Sequence, residues 1–562
     1  MALMPPKRIS NAVLIAEFAV FTILLALCVP SHIVFQEKCQ LFLWTGRYFL
    51  DVVLVPGGLA DWIGRFLTQF FLNPWAGAAI IAALIVVFQR LLLSFLEDVH
   101  PWQFMLSLLP AALLCAFYAN ENAMLSAVTA LILSLLAARG VIRINGRLPR
   151  TVLALVAVPL LYLAAGPLCL IFLVAISVRD LRDALAGLPV LILTIFLCTF
   201  IFQYPAASMF GGIHYYRFLQ TVRPEPWYVL ASASLPLILS FFLKEDGKRL
   251  VNVALAIAVV SASFFLIRPR LDSSRSPQKE ETLNYTLMAM DEDWNGMIEA
   301  AGRRIPSQSP VSVACLNLAL ARNGMLGDRM FHTFQNGPQG LISDKKVDFI
   351  SPLAMAQTYW SLGLVDSAQR LVYEAQESIP DFQKSAYCYK WLARTNMANG
   401  DDAVARKYLD ALGHSLFYRR WRPSDDLDAI ARRRLTEQDM VSSDENIHDV
   451  LKDLTVKDPS NELAAEYLLA YDMLSVNLDM FVSDYQDIYG TSAPVCVSYA
   501  EALALAWARG HVNFDGIPWA LPEGTADRCK AFFTDRGAKR PQGTMKSKYG
   551  TSYWYYYFYH GK

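Results

Sequence analysis

Charge is spread along this chain so unevenly that no single globule accommodates it. The first 270 residues carry 31 charged side chains with a net of +7, and the remaining 292 carry 69 with a net of −7. Long apolar runs with few charges call for a hydrocarbon surrounding, whereas the second stretch has the charge density of a water-soluble domain. The whole-chain net charge of 0 is an average over two different materials. The split excludes a disulfide-dense secreted scaffold and a disordered chain. Neither half concentrates basic residues on one face, so no nucleic-acid partner is expected.

Residues 1–270 are expected to form a polytopic membrane domain of about eight or nine crossings. A crossing needs about 20 mostly apolar residues. The first runs from Ala12 to Phe35 behind Lys7 and Arg8, and reads as a retained anchor with a cytoplasmic N-terminus. Further runs begin near Pro74, Pro101, Asn122, Thr151, Leu188, Trp227 and Leu250. Between Thr151 and Val178, the sequence Ala164-Ala165-Gly166-Pro167 either interrupts one tilted span or turns the chain back. A turn gathers the loop arginines and lysines, from Arg139 to Arg249, on the cytoplasmic side, which positive-inside counting favours. The chain is then a multi-pass protein of the inner membrane with a periplasmic C-terminal half. Within the hydrocarbon, Glu17 and Arg90 are expected at similar depth, and a lone charge there is costly enough to favour their pairing.

The first outer loop, Gln36 to Asn73, is long, and Leu59, Trp62, Ile63, Phe66, Leu67 and Phe70 recur in it at helical spacing. That pattern suits a helix lying in the membrane interface. Two acids of this loop, Glu37 and Asp51, and two arginines of the Pro205–Trp227 loop, Arg217 and Arg223, are the residue types a membrane-lipid phosphate requires. The arginines match phosphate charge and a carboxylate serves as base. The same residue types are also ordinary interfacial anchors.

Residues 271–281 are rich in Pro, Ser and charge and read as a linker. Helical periodicity dominates residues 282–510, with no alternating strand runs. Gly363 and Gly400 stand 37 residues apart, each between two apolar helical patterns. Ala356, Tyr359, Ala368, Val372, Ala375 and Pro380 around the first glycine resemble a tetratricopeptide repeat, echoed by Leu392, Ala393, Ala405 and Leu409 around the second. The resemblance implies stacked helix pairs and a concave surface for a protein partner. Residues 511–562 form an extension ending in Tyr553-Trp554-Tyr555-Tyr556-Tyr557-Phe558-Tyr559, too aromatic to stand in water, and so expected to pack on the domain. The expected class is all-α: a transmembrane helical bundle followed by tetratricopeptide-like helical repeats.

The eight histidines are scattered, the nine cysteines show no Cys-x-x-Cys spacing, and no nucleophile-elbow or phosphate-loop motif occurs. No metal or cofactor is expected. Two wider resemblances remain. Gln40-Leu41-Phe42-Leu43, Pro56-Gly57-Gly58-Leu59-Ala60-Asp61, Phe66-Leu67-Thr68-Gln69-Phe70, residues 324–334 and residues 550–556 resemble an uncharacterised family of multi-spanning bacterial membrane proteins. The order of parts is also similar to polyprenyl-phosphate-dependent membrane glycosyltransferases: one span, a long outer loop with early acids, an interfacial helix, more spans, then a soluble domain. That likeness implies a catalytic acid in the first outer loop, for which Glu37 and Asp51 are the candidates. Two functions follow as expectations: a scaffold whose repeats recruit a protein at the cell envelope, or a glycosyltransferase whose site lies in the outer loops.

Overall fold

The computed structural model describes residues 11–96, 101–218, 222–242, 276–303, 308–343, 348–380, 383–423, 446–511 and 514–559, with a few isolated positions besides. Most of the run beginning near Leu250 lies outside the described residues, as do residues 271–275 of the expected linker; from Pro277 the chain is helical. Among the described residues there are 27 α-helices and no strand, only one isolated bridge between Ala123 and Tyr216. By contact the chain divides into two units. The first holds residues 1–280, 379–387 and 410–421, and the second holds 281–378, 388–409 and 422–562.

The first unit begins with α1 (Asn11–Cys28) and α2 (Pro30–Lys38), bent by 81° at Val29-Pro30. Pro30 lacks the N–H an unbroken helix would use, but it suits the first position of a new one. Two short helices follow, α3 (Gly46–Val53) and α4 (Gly58–Thr68), then α5 (Pro74–Leu93), α6 (Pro101–Tyr118) and α7 (Ser126–Ile142). The bundle is completed by α8 (Arg147–Ala165), α9 (Leu170–Ser177), α10 (Leu181–Phe202), α11 (Ala206–Gly211) and α12 (Glu225–Phe242). Helices α5, α8 and α10 are long and apolar enough to cross a membrane, and the bent pair α1–α2 makes a fourth candidate. Nine full crossings are therefore more than the described residues supply, because α6, α7 and α9 are shorter apolar helices.

The chain does turn back at Gly166-Pro167. Arg150 near the start of α8 bonds Asp180 at 3.0 Å and Asp183 at 2.9 Å, at the start of α10, so both helices begin at one end. The return runs through Gly166, whose φ of 73° suits glycine, the short turn Pro167–Cys169, and α9. Eight residues of helix rise only about 12 Å, so α9 re-enters the bundle rather than crossing it. The pairing expected between Glu17 and Arg90 is replaced by another. Gln89 faces Glu17, its amide nitrogen 2.6 and 2.7 Å from the two carboxylate oxygens in the orientation that satisfies both groups, while Arg90 is exposed.

The second unit is a succession of helix pairs that share one turn. At Gly363, the N–H of Leu364 bonds the carbonyl of Tyr359 and that of Gly363 bonds Trp360, closing the helix Ser351–Leu362 before Val365–Glu377. This crossed pair of bonds around one left-handed residue is the Schellman turn. The same bonds recur at Gly324 and Gly400, and also at Glu292, Val476 and Lys539, whose φ values are 56°, 59° and 52°. The last three are side-chain-bearing residues in glycine's region, and the β-branched Val476 is the costliest of them. Ala368 and Ala405 are buried, as a close helix crossing requires. Leucine at 368 is expected to overpack the pair and cost about 1–3 kcal/mol, read as a lower melting temperature of the purified chain. An unchanged melt would mean that these two helices do not touch there.

The aromatic tail packs within the second unit. Helix Tyr553–Tyr559 lies on Val497–Gly510, with the Tyr553 N–H donating to Glu501 Oε2 at 2.8 Å and the Trp554 indole N–H donating to the Glu501 carbonyl at 2.7 Å. Burial pushes the Glu501 carboxyl up to about 7, against the opposing pull of the Tyr553 N–H and Arg528. The folded carboxyl thus keeps its proton up to a higher pH than the unfolded one. Stability from this group is highest at low pH and is lost as pH rises from about 4.5 to 7, by up to about 3 kcal/mol. Chemical denaturation at pH 5 and pH 8 is expected to show this loss in the wild type and less of it in Glu501→Gln. Glu466, also raised to about 7 chiefly by burial, adds the same slope to both proteins, so their difference isolates Glu501.

Candidate functional site

The bend at Pro30 aims α2 into the bundle, and its polar residues are buried: His32, Gln36, Glu37 and Lys38. Two irregular segments close over them. The turn after α6 and the loop after α11 join through the Ala123–Tyr216 bridge and through the Arg217 N–H, which donates to the Asn122 carbonyl at 2.9 Å. The Tyr215 hydroxyl then ties this loop to the chain reversal, donating to the Ala165 carbonyl at 2.6 Å and accepting from the Leu168 N–H at 3.0 Å.

His32 sits between two carboxylates. Its Nδ1 is 2.8 Å from the Ala119 carbonyl and 3.4 Å from Glu121 Oε2, while Nε2 is 3.4 Å from Glu280 Oε2. Glu280 also accepts from the Ser31 N–H at 2.8 Å, and Lys279 pairs with Glu121. A carbonyl at Nδ1 keeps the proton on that nitrogen in the neutral ring, and Nε2 faces Glu280.

Glu37 follows one turn later and is only 3% exposed. It accepts a hydrogen bond from the Tyr418 hydroxyl, which arrives from 381 residues further along the chain. Glu37 and Tyr418 line a cavity with Gln40, Gln69, Ser415 and Phe417. Segments 379–387 and 410–421 are fastened here as well: Ser385 Oγ donates to the Lys38 carbonyl at 2.6 Å, the Ala386 N–H to the Gln40 carbonyl at 3.1 Å, and the Trp44 N–H to the His414 carbonyl at 2.9 Å. Arg217 donates to the carbonyls of Cys39 at 3.1 Å and Gln36 at 3.4 Å, so it braces the segment that carries Glu37. Burial pushes the Cys39 thiol up to about 12, with Arg217 opposing and Glu121 and Glu37 reinforcing, so these charges act on one small volume.

A second buried group lies on α4. The helix turns its small and polar side inward: Gly58, Ala60, Asp61, Gly64 and Thr68 are buried. A β-carbon on Gly64 would stand 2.8 Å from the Ser126 nitrogen of α7, so only glycine permits this approach. Trp62 and Phe66 form a ring cluster with Phe42, Trp44, Phe49 and Phe70. The expected helix is thus present as Gly58–Thr68, and its small and polar side is buried. Asp61 Oδ2 is 2.6 Å from Arg65 Nη2 and 3.5 Å from His214 Nδ1. Burial first, then Arg65, hold the His214 imidazole below its ordinary value against the pull of Asp61.

Of the four residues singled out from the sequence, Glu37 and Arg217 are brought together in the buried cluster. Asp51 is not; its side chain is 69% exposed on α3, 3.9 Å from Arg47. Arg223 stacks over Tyr216 with its guanidinium carbon 4.5 Å from the ring centre and donates to the Tyr216 hydroxyl at 2.8 Å. Sequence reasoning passed over His32 and Glu280. Ser31-His32 after Pro30 in an apolar run was the one available signal.

Fold and site together define an all-α protein with candidate membrane-crossing helices and a buried ionisable cluster beside them. The chain belongs to a family of unknown function (DUF6057), whose family model matches residues 5–560. No curated protein and no solved structure matches it.

Proposed function

We propose that the chain is a membrane enzyme that transfers a sugar from a polyprenyl-phosphate carrier, with Glu37 as its base. The observation that supports this reading is a buried carboxylate at the end of the first candidate span that lines a cavity. Buried ionisable groups at membrane helices are expensive and are kept for function. Glu37 takes the proton of an acceptor hydroxyl as that oxygen bonds the anomeric carbon. The bond from that carbon to the phosphate oxygen breaks, and Arg223 receives the charge of the departing polyprenyl phosphate. Arg217, committed to two backbone carbonyls, holds Glu37 in place. On this reading the cluster and the C-terminal half face the periplasm across the inner membrane, and a reporter fused after Asp272 reads as periplasmic.

The test uses the purified chain in nanodiscs with polyprenyl-phosphate sugars, following release of polyprenyl phosphate. Turnover is expected in the wild type and in Asp51→Asn, and is expected to be lost in Glu37→Gln. Polyprenyl phosphate is expected to raise the melting temperature more than the uncharged polyprenol does, and Arg223→Ala is expected to remove the difference. Equal turnover in Glu37→Gln would overturn the assignment of the base.

A second reading rests on a separate observation, the Schellman turn repeated at six helix pairs. Such pairs resemble tetratricopeptide repeats, and a stack of them offers a surface for a protein partner at the envelope. The two readings are compatible, the repeats then presenting the acceptor or an assembly partner.

A further inference from the structure

Away from the Glu37 cluster, the second unit brings together three side chains that the sequence scatters. His448 lies in the first turn of helix Ile447–Lys457, Asp472 near the end of Glu462–Leu474, and Asp484 in the middle of Leu478–Tyr489. All three are buried, Asp472 to 1% exposure. His448 Nε2 is 2.6 Å from Asp484 Oδ2 and 3.5 Å from Asp472 Oδ1.

Hydrogen bonding alone leaves this knot short of donors. A neutral imidazole carries one N–H, which cannot serve Asp449 at Nδ1 and the two carboxylates at Nε2 together. Asp472 Oδ2 has no hydrogen-bond partner although it is buried. Lys452 does not reach it, because its ammonium bonds the other Asp484 oxygen at 2.7 Å and Asp487 at 3.1 Å. Burying two carboxylates against one imidazole is unfavourable unless a proton or a cation lies between them.

We propose that His448, Asp472 and Asp484 bind one divalent transition-metal ion that staples three helices of the second unit. One donor atom from each residue lies within 4.8 Å of the others. Tetrahedral bonds of roughly 2.0–2.2 Å set donors roughly 3.3–3.6 Å apart, so the Asp472 contact already fits and Asp484 need open by only about 1 Å. One imidazole and two carboxylates suit zinc or manganese better than a thiolate-seeking ion. The outer shell fits too. Asp449 Oδ1 lies 3.2 Å from His448 Nδ1, where it holds the proton on that nitrogen and frees the Nε2 lone pair. Lys452 steadies Asp484 through the oxygen that the ion does not use.

Zinc added to chelator-stripped, full-length protein in detergent tests this directly, by bound metal per chain and by melting temperature. About one ion per chain is expected, with a rise in melting temperature. His448→Gln and Asp472→Asn are expected to weaken binding beyond the roughly 10–100-fold typical of outer-shell changes, and the exposed Asp487→Asn to leave it intact. Asp472→Asn conserves shape, so it remains informative if His448→Gln does not fold. Zinc held equally by the wild type and Asp472→Asn, or lost only in Asp487→Asn, would make it adventitious and overturn the site.

Discussion

Replacing Asp61 by alanine is expected to destabilise the first unit by about 3–5 kcal/mol, the cost of stranding a buried charge. Asp61 is 1% exposed, and its carboxylate is the 2.6 Å partner of Arg65, whose own side chain is 12% exposed. Burial works against the Arg65 guanidinium, yet Asp61 and Tyr48 more than offset it and hold its proton more firmly than usual. Without Asp61 only the Tyr48 hydroxyl, which is no counter-ion, answers the Arg65 charge at close range, and His214 loses the carboxylate beside its Nδ1. Thermal melts in detergent, followed by loss of monodisperse protein, are the measurement. The double change Asp61→Ala with Arg65→Leu is expected to recover much of the loss, since removing both charges leaves neither one stranded. A single variant as stable as the wild type would mean that water reaches Arg65 and that the α4 face is not buried.

Trp554→Ala carries the other large effect, about 3–5 kcal/mol on the second unit. Its indole is 0% exposed, packs near Phe532 with ring centres 6.0 Å apart, and lies under the Arg528 guanidinium at 5.4 Å. Truncation opens a cavity and leaves the Glu501 carbonyl without the indole donor. Phenylalanine keeps most of the volume and loses the hydrogen bond, so Trp554→Phe should cost closer to about 1 kcal/mol. Denaturant unfolding of both variants gives the comparison. If the two are equally mild, the tail is a surface appendage and the Tyr553–Tyr559 helix contributes no core.

The pattern of glycines shows how far helix pairs can be read from composition. Gly324, Gly363 and Gly400 announce their turns, because glycine enters the left-handed region without a β-carbon clash. Glu292, Val476 and Lys539 make the same turn unannounced. There the packing of the flanking helices imposes a conformation the residue does not prefer, and no local rule reveals it. The reversal at Gly166-Pro167 belongs with the first group, as both residues favour breaking a helix.

The candidate sites divide along the same line. An acid at position 37, just beyond a long apolar run, marks itself because charge beside hydrocarbon is costly, and the helical class was likewise determined by sequence alone, whereas the assignment of residues 379–387 and 410–421 to the first unit was not. That Tyr418 is the partner of Glu37, that Gln89 rather than Arg90 answers Glu17, and that His448 meets Asp472 and Asp484 were decided only by tertiary structure. Periodicity and hydropathy act over a few turns of helix and survive in the order of residues. Contacts between residues 36 or 381 positions apart depend on how helices bend and cross, a consequence of packing the whole chain at once.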